Sequence, residues 1–382
     1  MRASEDGDCG CVRGARRFAV LCLSIVVAFG SASARAAHRN DPVTRATLLQ
    51  TAESGITRID QVWWNPVAHW YTTYPWTQRA GAGGLATLWD AAPLFETIDL
   101  VALADPTSAN KAAVTQFAVG AERYWDPLAS AMGAYVYLPD KHKSMGAFFD
   151  DDGWWGLGFF DAYRATGNRR FLRDTLRAFD FIELKGWAPQ GGVWWSTDHT
   201  RTTAEPLAAE ALLGALLYER THATAYLRVA ERYIAWADKH IWNASRGLYQ
   251  RAPGDPTVLD YVEGMMIGAD AALCRSLHRS AYCRKGEALA RAAAVAFPPS
   301  YHWAPETDAI YLRWLLELYK TNHHRQWYDL VNARAQQAYA NARDPQGLFT
   351  KNWDGSFASN DRLLTDAGTL MLFAALAGAP AP

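Results

Sequence analysis

Four runs rich in Gly, Ala and Leu recur along the chain, at Gly156–Tyr163, Leu213–Tyr218, Ile267–Leu273 and Leu312–Tyr319. Each ends in a short polar turn and is followed by a more charged helical stretch. Tyr163, Tyr218, Leu277 and Tyr319 mark the turns, 55, 59 and 42 residues apart, a spacing that signals a repeated helical hairpin. A helix that is apolar nearly all round must be covered on several sides. That requirement favours closure, so the expected fold is all-α, an (α/α)6 toroid of six hairpins with small-residue inner helices and charged outer ones. An open solenoid is the competing geometry. Apolar spacing of three and four residues continues from residue 42 and predicts twelve helices: 42–62, 84–104, 109–125, 152–166, 169–183, 204–220, 223–242, 262–278, 281–296, 308–321, 324–341 and 365–377. Nothing suggests a second domain.

The first residues read as a targeting segment. Arg13, Arg16 and Arg17 precede an apolar run from Phe18 to Phe29, and the small residues Gly30 to Ala36 offer Ala-x-Ala cleavage sites. Residues 1–36 are therefore expected to be a signal peptide, leaving 37–382 as one secreted or periplasmic domain with no membrane insertion after cleavage. A twin-arginine signal at Arg16–Arg17 is the alternative. Cys9, Cys11 and Cys22 fall in this leader. Cys274 and Cys283 remain, either as one disulfide across a helix-turn-helix or as two separate buried thiols. No Cys/His set has metal-ligand spacing, so no metal and no cofactor is expected.

With 38 Lys+Arg against 39 Asp+Glu, bulk charge offers nothing to nucleic acid or to an anionic membrane. The unusual figure is aromatic: 17 Trp, 17 Tyr and 15 Phe supply flat amphipathic surface in excess of what a core requires. The partner expected is a polysaccharide or oligosaccharide, and the chain is read as a monomer.

Chemistry collects ahead of the inner helices, most densely at Phe148-Phe149-Asp150-Asp151-Asp152-Gly153-Trp154-Trp155. Two carboxylates flanking a glycosidic bond can hydrolyse it, one attacking the anomeric carbon and one protonating the leaving oxygen; separations near about 5 Å imply retention. The bland alternative is that these acids cap a helix. Similar material precedes other inner helices: Gly191 to Asp198, Tyr261 to Gly264, Glu306 to Asp308, and Trp353 to Asp366. In a toroid these loops meet at one mouth, where carboxylates accept from sugar hydroxyls and Trp faces cover sugar C–H groups. Candidate substrate contacts are Trp154, Trp155, Trp194, Trp195, Asp198, Tyr261, Glu263, Asp308 and Arg313. For Glu263, Asp308 and Arg313, holding helix ends is the other reading.

The segment Phe149 to Gly158, with Asp161-Ala162-Tyr163 and Thr166-Gly167-Asn168 behind it, resembles glycoside hydrolase family 76, the endo-α-1,6-mannanases, and related fungal wall transglycosidases. Gly191-Gly192-Val193-Trp194-Trp195 and Tyr261 to Gly268 look like two further blocks of that family. The likeness runs over roughly residues 45–375. It implies an (α/α)6 barrel and a retaining mechanism with Asp150 as nucleophile and Asp151 as general acid/base. It also implies that Trp154, Trp155, Trp194 and Trp195 shape the cleft. Arg201-Thr202-Thr203, Glu205-Pro206 and Glu263 depart from the family pattern. A transglycosylase on α-mannan and a catalytically silent carbohydrate-binding protein are the alternative functions. Unsaturated uronyl hydrolases and sugar epimerases fit less well, because their acids sit differently.

Overall fold

The computed structural model describes residues 42–77, 84–140, 146–301, 303–357 and 362–382. The expected signal peptide, with Cys9, Cys11 and Cys22, lies outside them. Twelve α-helices are present among the described residues. The inner ones are α2 (Leu88–Ala104), α4 (Phe149–Thr166), α6 (Ala204–Thr221), α8 (Asp260–Leu277), α10 (Pro305–Asn322) and α12 (Leu363–Ala377). The outer ones are α1 (Arg45–Trp63), α3 (Ser108–Ala121), α5 (Arg169–Phe181), α7 (Thr224–His240), α9 (Ser280–Ala296) and α11 (Arg325–Asn341).

Each inner helix packs on the next, and α12 returns to α2, so the ring closes and the solenoid geometry does not apply. Five hairpins are consecutive in the chain. The sixth joins its two ends, because α1 packs on α12 and supplies its outer partner. Small residues let the inner helices approach closely. A Cβ on Gly264 would lie 2.6 Å from the Cα of Tyr311, and one on Gly368 would lie 2.5 Å from the Cα of Glu306. No side chain fits at those crossings.

Four of the five inner-to-outer turns use one device, the exception being α2–α3, where Asp105 is extended. Gly167, His222, His278 and His323 all sit at positive φ (73°, 57°, 52° and 56°), and each donates its N–H to the carbonyl four residues earlier, on Tyr163, Tyr218, Cys274 and Tyr319. Cys274, not Leu277, is therefore the equivalent of the tyrosines, and the expected repeat spacing was off by three residues there. Three of these left-handed positions carry histidine where glycine costs least. Cys274 on α8 and Cys283 on α9 form a disulfide with Cα atoms 5.0 Å apart, so the reading as separate thiols does not hold.

Short β-hairpins join outer helices to the next inner ones, a feature that helical periodicity does not reveal. They are β1–β2 (Trp64–Asn65 with Trp70–Tyr71), β3–β4 (Trp125–Asp126 with Ala134–Tyr135) and β5–β6 (Trp242–Asn243 with Leu248–Tyr249). An acid in the first turn of the following helix fastens the loop before it. Asp152 accepts from the N–H of Tyr135 (3.0 Å), Glu263 from that of Tyr249 (2.8 Å) and Asp366 from that of Phe349 (2.5 Å). Among the described residues no helix is long and apolar enough to cross a membrane.

Candidate active site

A cleft of about 420 Å³ opens where the inner helices begin. Its lining includes Trp89, Asp150, Glu205, Tyr261 and Glu306, each the second residue of its inner helix. The cavity at the other end, about 640 Å³, is lined by the last turns of those helices, so the inner helices run parallel. Its carboxylates are neutralised: Arg275 holds Glu219 through two nitrogens (2.6 and 2.9 Å), and Lys320 pairs with Glu317 (2.8 Å). Unpaired acids gather at the first mouth instead.

Helix α4 begins three residues before its expected start, which puts Asp150 and Asp151 inside its first turn. The cap is Phe148, which makes no side-chain cap bond, so none of the three aspartates caps the helix. The loop that carries the second tryptophan pair runs against the entrance of α4, with Phe149 N donating to Trp195 O (2.9 Å) and Thr197 N to Ala147 O (3.0 Å). This pairing brings the Trp195 indole N–H to Asp150 Oδ2 at 3.1 Å. Asp150 Oδ1 is buried with no hydrogen-bond partner among the described residues.

The two carboxyls differ. Burial, and next the charge of Glu205, push Asp150 up to about 7, while donors from Trp195 and the backbone pull the other way. Asp151 is also raised well above the ordinary carboxyl value, by burial first, then by the neighbouring Asp150 and by Asp90, and among the described residues it has no such donors. Hydrogen bonds to the charged form hold Asp150 as the more acidic member. Glu205 stands beside the pair with Oε1 on Arg251 Nε (2.8 Å), and its Oε2 is buried and unpartnered among the described residues. Glu306, pushed up to about 7 mainly by burial, also keeps one such oxygen.

Aromatic rings form two walls. Trp89, Trp154, Tyr261 and Trp303 make one, with successive centroids 5.2, 5.9 and 6.4 Å apart; Tyr137, Phe148 and Trp195 make the other, at 5.9 and 4.9 Å. Arg201 lies 3.9 Å from the outer ring of this second wall, on Trp195.

Of the residues expected to touch substrate, Trp154, Trp195 and Tyr261 join Asp150 and Asp151 at the cleft. The others lie elsewhere, for identifiable reasons. Consecutive helical residues diverge by about 100°, so Trp155 turns into the core, donating to Ala121 O (3.2 Å) between Phe95 and Tyr124. In extended chain neighbours alternate, so Trp194 faces away from the cleft and stacks on His199 at 5.3 Å. Asp198 is exposed and closes a turn through Thr200. Glu263 fastens Tyr249, and Asp308 pairs with Arg334 of α11 (3.1 Å). Arg313 is buried in the ring centre, tied to Glu96 of α2 and Asp161 of α4.

Trp89, Tyr137, Arg251 and Trp303 also line the cleft without having been singled out, whereas Phe148 and Glu306 belong to segments expected at the mouth and Glu205 stood out as a departure from the family pattern. Placing the starts of α2 and α10 correctly would have brought out Trp89 and Glu306, which share with Glu205 the position of Asp150. Among the described residues, no group of three or more His, Cys, Asp or Glu is arranged to hold a metal ion.

No curated protein sequence matches the chain. Solved structures do. A family 76 mannosidase from Bacteroides thetaiotaomicron superposes with a TM-score of 0.77 at 17% identity, over 87% of this chain and 98% of that one. The family 76 α-1,6-mannanase of Salegentibacter sp. HEL1_6 gives 0.70 at 17% identity, over 86% and 99%. Dfg5 from Chaetomium thermophilum, solved with glucosamine, gives 0.72 at 13% identity, over 90% and 94%. These likenesses establish the toroid. The family itself follows from the sequence, since the model of glycosyl hydrolase family 76 matches residues 61–353 and the chain belongs to that family.

Proposed function

We propose that the protein is a secreted retaining glycoside hydrolase that cleaves within α-1,6-mannan or a closely related α-linked polysaccharide. The observation that carries this reading is the unequal pair at the head of α4, one aspartate held by the Trp195 N–H and the next left without a donor. Asp150, the more acidic, attacks the anomeric carbon as Asp151 protonates the departing glycosidic oxygen. In the second step Asp151 takes a proton from water, which displaces Asp150 and restores the original configuration. The Trp89 and Trp195 walls offer flat surface to sugar C–H faces. Glu205 and Glu306 add carboxylates to the cleft lining, where sugar hydroxyls can donate.

Substrate class comes from the neighbours. The Salegentibacter enzyme is an α-1,6-mannanase, and its inactive variant with two consecutive aspartates replaced was solved with α-1,6-mannotriose. The test is proton NMR of the products first released from α-1,6-mannan. Short oligosaccharides with α-configured reducing ends are expected; β-configured ends would overturn the nucleophile assignment, and products longer than the substrate would indicate transfer to sugar instead of water.

A further inference from the structure

Away from the cleft, the outer helices share a second construction. After α3, Trp125 meets Tyr135 edge-on (5.2 Å), the Tyr135 hydroxyl donates to Glu122 (3.0 Å), and Arg177 of α5 donates to Glu122 (2.7 Å) with its guanidinium 4.2 Å from the Trp125 ring. After α7, Trp242 meets Tyr249 (5.0 Å), Tyr249 donates to Asp238 (2.6 Å), and Lys285 of α9 pairs with Asp238 (2.7 Å). After α5, Glu183 pairs with Arg232 of α7, whose guanidinium lies 4.5 Å from Trp187. In each case the following outer helix brings a cation to an aromatic and carboxylate slot.

The slot after α1 has the same walls. Trp64 meets Tyr71 edge-on (5.1 Å) and the Tyr71 hydroxyl donates to Asp60 (2.6 Å). Here the following helix is α3, whose ninth residue is Gln116, where α5 has Arg177 and α7 has Arg232. No cation pairs with Asp60 among the described residues. A pocket of about 290 Å³ remains, lined in part by Asp60, Trp64, His69, Tyr71, Gln116 and Phe117 and by Trp70, whose ring lies 4.9 Å from the Arg123 guanidinium, and it shares no residue with the cleft.

We propose that this pocket binds a primary ammonium group on a ring-sized carrier, with an amino sugar as the class that uses every wall. The ammonium takes the place that arginine or lysine fills in the other repeats, against Asp60 and the aromatic rings. Gln116 is free to exchange hydrogen bonds with a hydroxyl, and Trp64 and Phe117 face the carbon skeleton. The inference stands apart from the chemistry read at the cleft.

Glucosamine and glucose differ by this one charge, so calorimetric titration of the whole chain with each is the test. Glucosamine is expected to bind with a millimolar Kd and glucose at least about tenfold more weakly, the size of a lost charge-assisted contact. Asp60→Asn should weaken glucosamine at least about tenfold. Gln116→Arg should fill the slot from within, abolishing binding and raising Tm, while both variants retain wild-type glycan hydrolysis. No glucosamine binding by the wild type, equal binding of glucose, or undiminished binding by either variant would overturn the proposal, the last by locating the ligand elsewhere.

Discussion

Two rings of residues stand two positions apart at the head of the inner helices, and they do opposite work. The second residues, Trp89, Asp150, Glu205, Tyr261 and Glu306, face the cleft. The fourth residues Asp152, Glu263, Asp308 and Asp366 are equally acidic, yet they turn away and hold the preceding loops or, for Asp308, the outer helix. Two residues along a helix rotate a side chain by about 200°. That rotation alone separates a carboxylate in the lining of the cleft from one that accepts a backbone N–H in the wall. Residue type therefore says little about role here, and helical register says most.

The largest effect expected from breaking this distinction is at the cleft. Asp151→Asn should cut hydrolysis of α-1,6-mannan by about 10³-fold or more, in line with loss of a positioned acid and base, while Tm stays at or above the wild-type value. Next comes the ring centre. Arg313→Met leaves Glu96 buried without its cation and Asp161 with Arg164 alone, and should cost about 3–5 kcal/mol of stability by chemical denaturation, with kcat/KM per folded molecule unchanged. For the fourth-residue ring, Glu263→Leu strands the Tyr249 N–H and should cost about 1–3 kcal/mol. Glu263→Gln keeps an accepting oxygen and should be nearly neutral. A rise in KM with unaltered Tm in either Glu263 variant would return this residue to the sugar site.

The smaller effects concern pH. Asp150 must be ionised to attack, and its carboxyl is raised by burial and by the charge of Glu205. Glu205→Gln should therefore move the acid limb of kcat/KM to lower pH; movement to higher pH would contradict the electrostatics. Stability should vary in the opposite sense to the usual one. Burial raises Asp270 and Asp366 to about 7 and lifts Asp152 and Glu263 well above their ordinary values. Their folded forms bind protons that the unfolded chain has already released, so their contribution is complete below about pH 4 and is lost as pH rises through about 7. Tm should fall between pH 5 and pH 8, as scanning calorimetry would measure; a rise would mean that these acids are ionised in the folded protein.

Much of the fold was legible because apolar periodicity persists through all twelve helices, and glycine and alanine mark the faces that touch. Ring closure through α1 and α12 was less so, since it joins the two ends of the helical series. At the site, the run of three aspartates was readable from its density, and the resemblance to family 76 singled out Asp150 and Asp151. Glu306 was obscured because α10 begins at Pro305, three residues before its expected start, which shifted attention to Asp308; Glu205 stood out only as a departure from the family pattern, although α6 begins where expected. The doubled tryptophans misled for a geometric reason: neighbouring side chains diverge by about 100° on a helix and alternate in extended chain, and one of each pair, Trp155 and Trp194, turns away from the cleft. Arg313 pointed toward substrate as a charge near an inner helix, but its partners lie on α2 and α4, beyond the reach of local sequence.

The most direct test of the two-ring account compares a pair of variants on one helical turn. Release of oligosaccharides from α-1,6-mannan should be abolished in Asp150→Asn and retained in Asp152→Asn, whose amide oxygen can still accept from Tyr135. Equal activity in the two variants, or loss in Asp152→Asn alone, would contradict it.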